Sequence, residues 1–341
     1  MLVLTLVALN IAASVLLPRI PASGSSGRNP FRFRGFPEYL SGIDQDPKAG
    51  KLVLLSNSQA YAGEYPPREG YPAQLQNLLN ETDAGRIFEV HNWSVDGITS
   101  MEYMLLAARL LESSPAVLVA SIGYADFKGR NADEGFSHCR SDLPRLVSSP
   151  RLAQRLPREF WQRHGRVEDT LGAVAGDLLP ALRFPEFAWS WLDQRYPGMQ
   201  PLLYAPSLYF HPWELNLERK WKKVRIARPP AEENDAAYYE YDDRSTEMLE
   251  EFLAMLAAFD VVQRLVVACP GNHQPSSSHA SRVRRFRENA MRLTDQYDLP
   301  YVDLTEALPR EDFLDSLHFN RKNHRRYAER LWSELTPDTS I

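Results

Sequence analysis

Short apolar runs that alternate with helical patterns predict an α/β protein. The runs are Leu52–Leu55, Ile87–Val90, Val117–Ile122, Leu265–Ala268 and Tyr301–Leu304, rich in β-branched residues or leucine and too short to be helices. Near-continuous hydrophobicity within each run marks strands covered on both faces, as in a parallel sheet. Five such strands fit a flavodoxin-like, three-layer α/β/α domain of order 2-1-3-4-5, with the ligand crevice outside the carboxyl end of the first strand. A large helical insertion is expected after the third strand.

The elements follow in order. Before the first strand, Met1 to Leu17 is apolar apart from Thr5, Asn10 and Ser14, with Pro18 and Arg19 after it. We read residues 1–18 as an N-terminal hydrophobic anchor or uncleaved signal, although a spanning helix wants about 20 apolar residues. Arg19, Arg28, Arg32 and Arg34 follow it and favour a cytoplasmic side, which conflicts with an exported domain and leaves the orientation open. The expectation is a membrane-anchored or exported protein of the cell envelope. Residues 19–46, rich in Pro, Gly, Ser and Arg, read as a linker, and residues 47–341 as the main domain.

Helical spacing of apolar residues is clear at Ala73–Leu79, Met101–Leu111 and Met248–Phe259, the last with Asp243 or Ser245 as N-cap. Arg282–Tyr297 and Asn323–Leu335 complete the set, with His324 expected on a helix surface. Residues 127–243 exceed what a five-stranded domain needs. This insertion holds Trp161, Trp189, Trp191, Trp213 and Trp221, the basic run Arg219–Arg225 and the aromatic cluster Tyr238–Tyr241. Most of the tryptophans read as the insertion's own core; a lid or sugar-stacking surface over the crevice is the functional alternative.

The chain has 341 residues and a formal net charge of -5, which speaks against nucleic acid as a partner, since phosphate binding needs a basic face. Cys139 and Cys269 have no metal-ligand spacing and make one bridge or none. His91, His211, His273 and His279 lack the spacing of a zinc site, so neither metal nor cofactor is expected.

The chemistry lies at the two ends of the domain. Ser58 follows the first strand, where strand gives way to loop, and Asp315 and His318 follow the fifth, in Asp315-Ser-Leu-His318-Phe-Asn320. A serine hydroxyl at pH 7 becomes a nucleophile when an imidazole takes its proton and a carboxylate orients that imidazole. The Asp-x-x-His spacing lets one turn present both side chains to one point. Asp312 competes with Asp315 as the acid.

These segments resemble the SGNH (GDSL-like) hydrolase and acyltransferase superfamily. Its first block, G-D-S-L, reads Ser56-Asn57-Ser58-Gln59 here, departing at every position but the serine. Asn before the nucleophile resembles the branch of membrane-associated polysaccharide O-acetyltransferases. The last block, D-x-x-H, is met at Asp315 and His318. The resemblance implies a triad of Ser58, His318 and Asp315, with an oxyanion hole from the N–H groups of Ser58 and of Gly97, after the second strand. The third block, G-x-N-D, falls on Gly123-Tyr124-Ala125-Asp126, where Ala125 cannot supply the family's asparagine donor; Asn131 or the insertion is left to do so.

The implied activity is hydrolysis or transfer of O-acyl groups, on a carbohydrate by preference, with an ester substrate, a glycan acceptor and a membrane acyltransferase as partners. A lipid esterase is the nearest rival, and a non-catalytic carbohydrate-binding or scaffolding protein of the same fold is the rival from another class. The Pro270-Gly-Asn-His273 segment reads as a loop at the same crevice edge.

Overall fold

The computed structural model describes residues 50–61, 69–82, 88–95, 98–113, 117–128, 241–258, 263–270, 277–309, 311, 313–314 and 317–335. The expected anchor (1–18), the linker (19–46) and the body of the insertion lie outside the described residues. Among the described residues no helix is long and apolar enough to cross a membrane.

Five strands form one parallel sheet of order β2-β1-β3-β4-β5. They are β1 (Gly50–Ser56), β2 (Phe88–Ser94), β3 (Val117–Ile122), β4 (Gln263–Ala268) and β5 (Tyr301–Asp303). The helices are α1 (Ser58–Tyr61), α2 (Tyr71–Asn80), α3 (Ser100–Ser113), α4 (Tyr124–Phe127), α5 (Asp243–Ala257), α6 (Ser277–Gln296) and α7 (Arg321–Leu335). Both the class and the strand order are those the sequence predicts.

The two-residue period of a strand divides its side chains between two cores. Val53 and Leu55 of β1, Leu118, Ala120 and Ile122 of β3 and Val266 of β4 pack with α3, α5 and α6. Leu52 and Leu54, Val117 and Val119, Leu265 and Val267 pack on the opposite side with α2 and α7. Burying each large aliphatic side chain contributes about 1.5–3 kcal/mol before conformational entropy is set against it.

Several boundaries differ from expectation, for local reasons. β2 runs on to Ser94, so His91, Asn92 and Trp93 are buried strand residues rather than part of the following loop. α5 is capped one residue earlier than expected, by Asp242, whose Oδ1 accepts from Ser245 N and Oγ, both at 2.8 Å. Ser58 opens a short helical turn rather than a loop. Cys269 is a buried free thiol, and Cys139 lies outside the described residues.

His324 corrects a further expectation: it is 1 % exposed, not on the helix surface. In α7 it shares a buried stripe with Tyr327, Ala328, Leu331 and Leu335. Its ring meets Phe319 edge to face at 5.3 Å. Burial, reinforced by His318 nearby, lowers its pKa to about 3. His91 is likewise pushed down to about 4, by burial and then by Lys51, so its 3.6 Å approach to Glu89 is not an ion pair at neutral pH.

A histidine whose folded pKa lies below its unfolded value lets the unfolded chain bind a proton that the folded chain refuses. Its contribution is therefore complete above about pH 6.5 and lost as the pH falls toward the folded value. His324→Phe keeps the ring contact and removes the titration. Melting curves should show this variant losing less stability than the wild-type protein between pH 7 and pH 4.

Candidate active site at the carboxyl edge of the sheet

At the end of β1, Ser56 pairs with Ser94, and its carbonyl accepts from Val95 N at 3.2 Å. The next residue, Asn57, is 1 % exposed and satisfies both ends of its carboxamide. Oδ1 accepts from Gln59 N at 3.1 Å, and Nδ2 donates to Asp126 Oδ2 at 2.9 Å. An asparagine bonding its own backbone two residues on forms a tight turn. That turn starts α1 and places Ser58 at its first position, where a helix leaves its N–H groups without partners in the turn itself. The Ser58 N–H is thus suited to a developing oxyanion.

Asp126 fixes Asn57 from β3's side of the crevice. Its Oδ2 also accepts from Gly123 N at 2.7 Å and from the Tyr103 hydroxyl at 3.4 Å; the better Tyr103 bond goes to Ser121 O at 2.7 Å. Gly123 suits this close approach, since a Cβ would lie a tight 3.3 Å from Asp126 Oδ2 and an ordinary 3.6 Å from Asn57 Nδ2. Burial raises the Asp126 carboxyl to about 7, against the lowering effect of bonds from Asn57, Gly123 and Tyr103. Burial also pushes the Cys269 thiol upward, with the Asp126 charge adding to it.

His318 is held from below. Phe313 and Phe319 form an antiparallel bridge, and Leu314 N donates to His318 O at 2.8 Å, so the loop closes on itself. Phe319 anchors it in the core, its ring against Phe313 at 5.4 Å, Tyr327 at 5.3 Å and His324 at 5.3 Å. Asn320 then caps α7, Oδ1 accepting from Asn323 N at 3.0 Å. Ser58 and His318 retain 5 % and 7 % exposure.

One side chain joins the two parts. Gln59 Nε2 donates to Leu317 O at 2.9 Å and to Pro270 O at 2.6 Å. The residue after Ser58 is therefore bonded to the residue before His318, and both belong to the same sheet edge. Asp315, Asp312, Gly97, Asn131 and His273 lie outside the described residues. Ala125 sits half-buried on α4 with a methyl group where the third block has its amide. Among the described residues no cluster of three or more His, Cys, Asp or Glu side chains is placed to hold a metal ion.

Asn57, Gln59 and Asp126 have more structural work than their sequence context reveals. The available signal was the chemistry of the positions: polar residues at the ends of buried strands must find partners.

No family model matches the chain, and no curated protein matches its sequence. Solved structures similar to it include an acetyl xylan esterase, with 14% identity over 84% of this chain and 99% of that one and a TM-score of 0.36. An acetylxylan esterase mutant from Geobacillus stearothermophilus shares 12% identity over 86% and 96%, at a TM-score of 0.43. A carbohydrate acetylesterase from Sinorhizobium meliloti shares 7% identity over 84% and 98%, at a TM-score of 0.40.

The buried carboxyl of Asp126 gives stability a pH dependence opposite to that of the histidines. Its folded pKa is raised, so the contribution is complete below about 3.8, the unfolded value, and is lost as the pH rises through about 7. Asp126→Asn removes this dependence, whatever constant cost the altered hydrogen bonds add. The difference in melting temperature between variant and wild type should move in the variant's favour from pH 4 to pH 8.

Proposed function

We propose that the protein is a serine-dependent enzyme of acyl esters, an esterase or O-acyltransferase of SGNH type that works through a covalent acyl-enzyme. The observation that carries this reading is the Gln59 amide, which ties the turn of Ser58 to a loop 258 residues further along the chain, next to His318. Ser58 and His318, the nucleophile and base of this reading, come from opposite ends of the domain to the edge where parallel sheets place their ligands.

Ser58 Oγ bonds to the ester carbonyl carbon while its proton passes to the His318 imidazole. Asp315 orients that imidazole and stabilises its charged form. The N–H groups of Ser58 and Gly97 bind the tetrahedral oxyanion, each such donor contributing about 3–4 kcal/mol in sites of this type. Collapse of the intermediate breaks the bond to the alcohol oxygen, which leaves with the proton from His318. Water or a sugar hydroxyl then gives up a proton to His318 and attacks the acyl carbon, and as the acyl–serine bond breaks His318 returns that proton to Ser58 Oγ. The chemistry takes no metal or cofactor. Ala125 leaves the hole one side-chain donor short, so turnover is expected to be slow.

The Asn57-Ser58 pairing tilts the substrate toward carbohydrate O-acyl groups, with a glycan as acceptor, a membrane acyltransferase as acyl source and residues 1–18 as the membrane tether. Transfer requires water to be kept from the acyl-enzyme, a task suited to the insertion at 127–243. An acetyl-ester assay supplemented with short oligosaccharides should then give acetylated sugar beside free acetate. Acetate alone, across neutral, acidic and amino sugars, leaves an esterase.

Ser58→Ala should lower turnover of a small acetyl ester by about 10⁴-fold or more in a folded protein. His318→Ala should cost a similar amount, and the double variant little more, because the two groups act as one unit. Reaction with a fluorophosphonate probe tests the activated serine directly. Full activity in a folded Ser58→Ala protein would overturn this mechanism, and a wild-type protein that neither labels at Ser58 nor turns over the ester would leave the non-catalytic carbohydrate-binding reading in its place.

A further inference from the structure

We infer that Gln59 is a positioning residue that sets the approach of His318 to Ser58 by strapping the nucleophile's turn to the loop of the base. The inference rests on the reading of Ser58 and His318 as nucleophile and base, and goes beyond it to a residue outside the triad and the oxyanion hole.

The two carbonyls that Gln59 gathers have no ladder between them. The β4–β5 pairing ends at Ala268 and Asp303, so Pro270 and Leu317 both lie beyond the last paired residues. One carboxamide nitrogen spends its two protons on them, at 2.6 Å and 2.9 Å. The strap is anchored at its own end as well, because Gln59 N is held by Asn57 Oδ1 at 3.1 Å and Asn57 by Asp126. Gln59 is 1 % exposed, so its side chain has no room to swing away.

Packing does not account for an amide at this position. The Oε1 atom of Gln59 is buried without a hydrogen-bond partner among the described residues, a state that costs stability. An apolar side chain of the same length would fill the space without that penalty. What the amide adds is its pair of donors, one on the residue before His318 and one on Pro270, just past the end of β4. Small misplacements of a catalytic pair, on the order of 1 Å, are enough to cost about 10²-fold in rate.

Gln59→Met keeps the length of the side chain and removes both donors. The expected result is a fall in kcat of about 10- to 100-fold with KM changed less than threefold, and an equal fall in the rate of fluorophosphonate labelling at Ser58. Gln59→Glu supplies a second readout if the Met variant does not fold. Protonated, the carboxyl donates to one of the two carbonyls; ionised, it donates to neither and repels both. Buried beside two carbonyl oxygens, this carboxyl is raised above the ordinary glutamate value of about 4.3, so the ratio of variant to wild-type kcat should fall at least tenfold from pH 5 to pH 9 in protein that stays folded. A folded Gln59→Met protein with wild-type kcat and labelling rate overturns the inference, as does a flat ratio for Gln59→Glu. Failure of the wild-type protein itself to label at Ser58 is a different outcome: it removes the serine reading, and the strap with it.

Discussion

A strand with neighbours on both sides and apolar layers above and below has only its ends free for polar chemistry. β1 is held this way, between β2 and β3, with Val53, Leu54 and Leu55 fully buried. Parallel pairing adds a direction, since every strand delivers its carboxyl end to the same edge and every return is made by a crossover. Ser58 after β1, Gly123 after β3, Pro270 after β4 and the His318 loop after β5 therefore converge without any attraction between them. The sheet brings the groups into one neighbourhood; it does not set the distances within it.

Those distances are set by polar atoms that the sheet leaves over. Asn57, Gly123 and Tyr103 all donate to Asp126 Oδ2, which joins the end of β1 to the end of β3. Burial disfavours the ionised carboxyl, and the donors around it favour the ionised form. Burial is the larger effect, raising the carboxyl to about 7. The same low-dielectric surroundings hold His324 neutral, lowering it to about 3.

Strand order and sheet class were legible in the sequence because fully buried strands are nearly unbroken apolar runs, as Val117–Ile122 is. Strand ends were harder. Ser56, Asn92 and Ser94 look like loop residues, yet the ladder extends through them, with Ser56 Oγ accepting from the Tyr71 hydroxyl and Asn92 Nδ2 donating to Ala60 O. His324 was legible in principle, since it falls on the stripe of Tyr327, Ala328, Leu331 and Leu335; its polarity outweighed its spacing in the reading. Ser58 and His318 stood out because a serine after a buried strand and a histidine in an Asp-x-x-His spacing are chemically distinctive. Gln59 did not, because its partners are backbone carbonyls 211 and 258 residues away, and a carbonyl leaves no trace in residue type.

The loop of His318 is secured by two interactions with different distance dependence. Below it, Phe319 sits among Phe313, His324, Tyr327 and Tyr71, a cluster whose attraction is broad and tolerant of small shifts. Such packing keeps the loop on the sheet but does not choose among positions a few tenths of an ångström apart. Above it, the Gln59 bonds weaken steeply with distance and angle, so they select one position from those the aromatic cluster allows. Either device alone would leave the His318 loop poorly placed: rings without the strap give stability without precision, and the strap without the rings would hold a loop that has no floor.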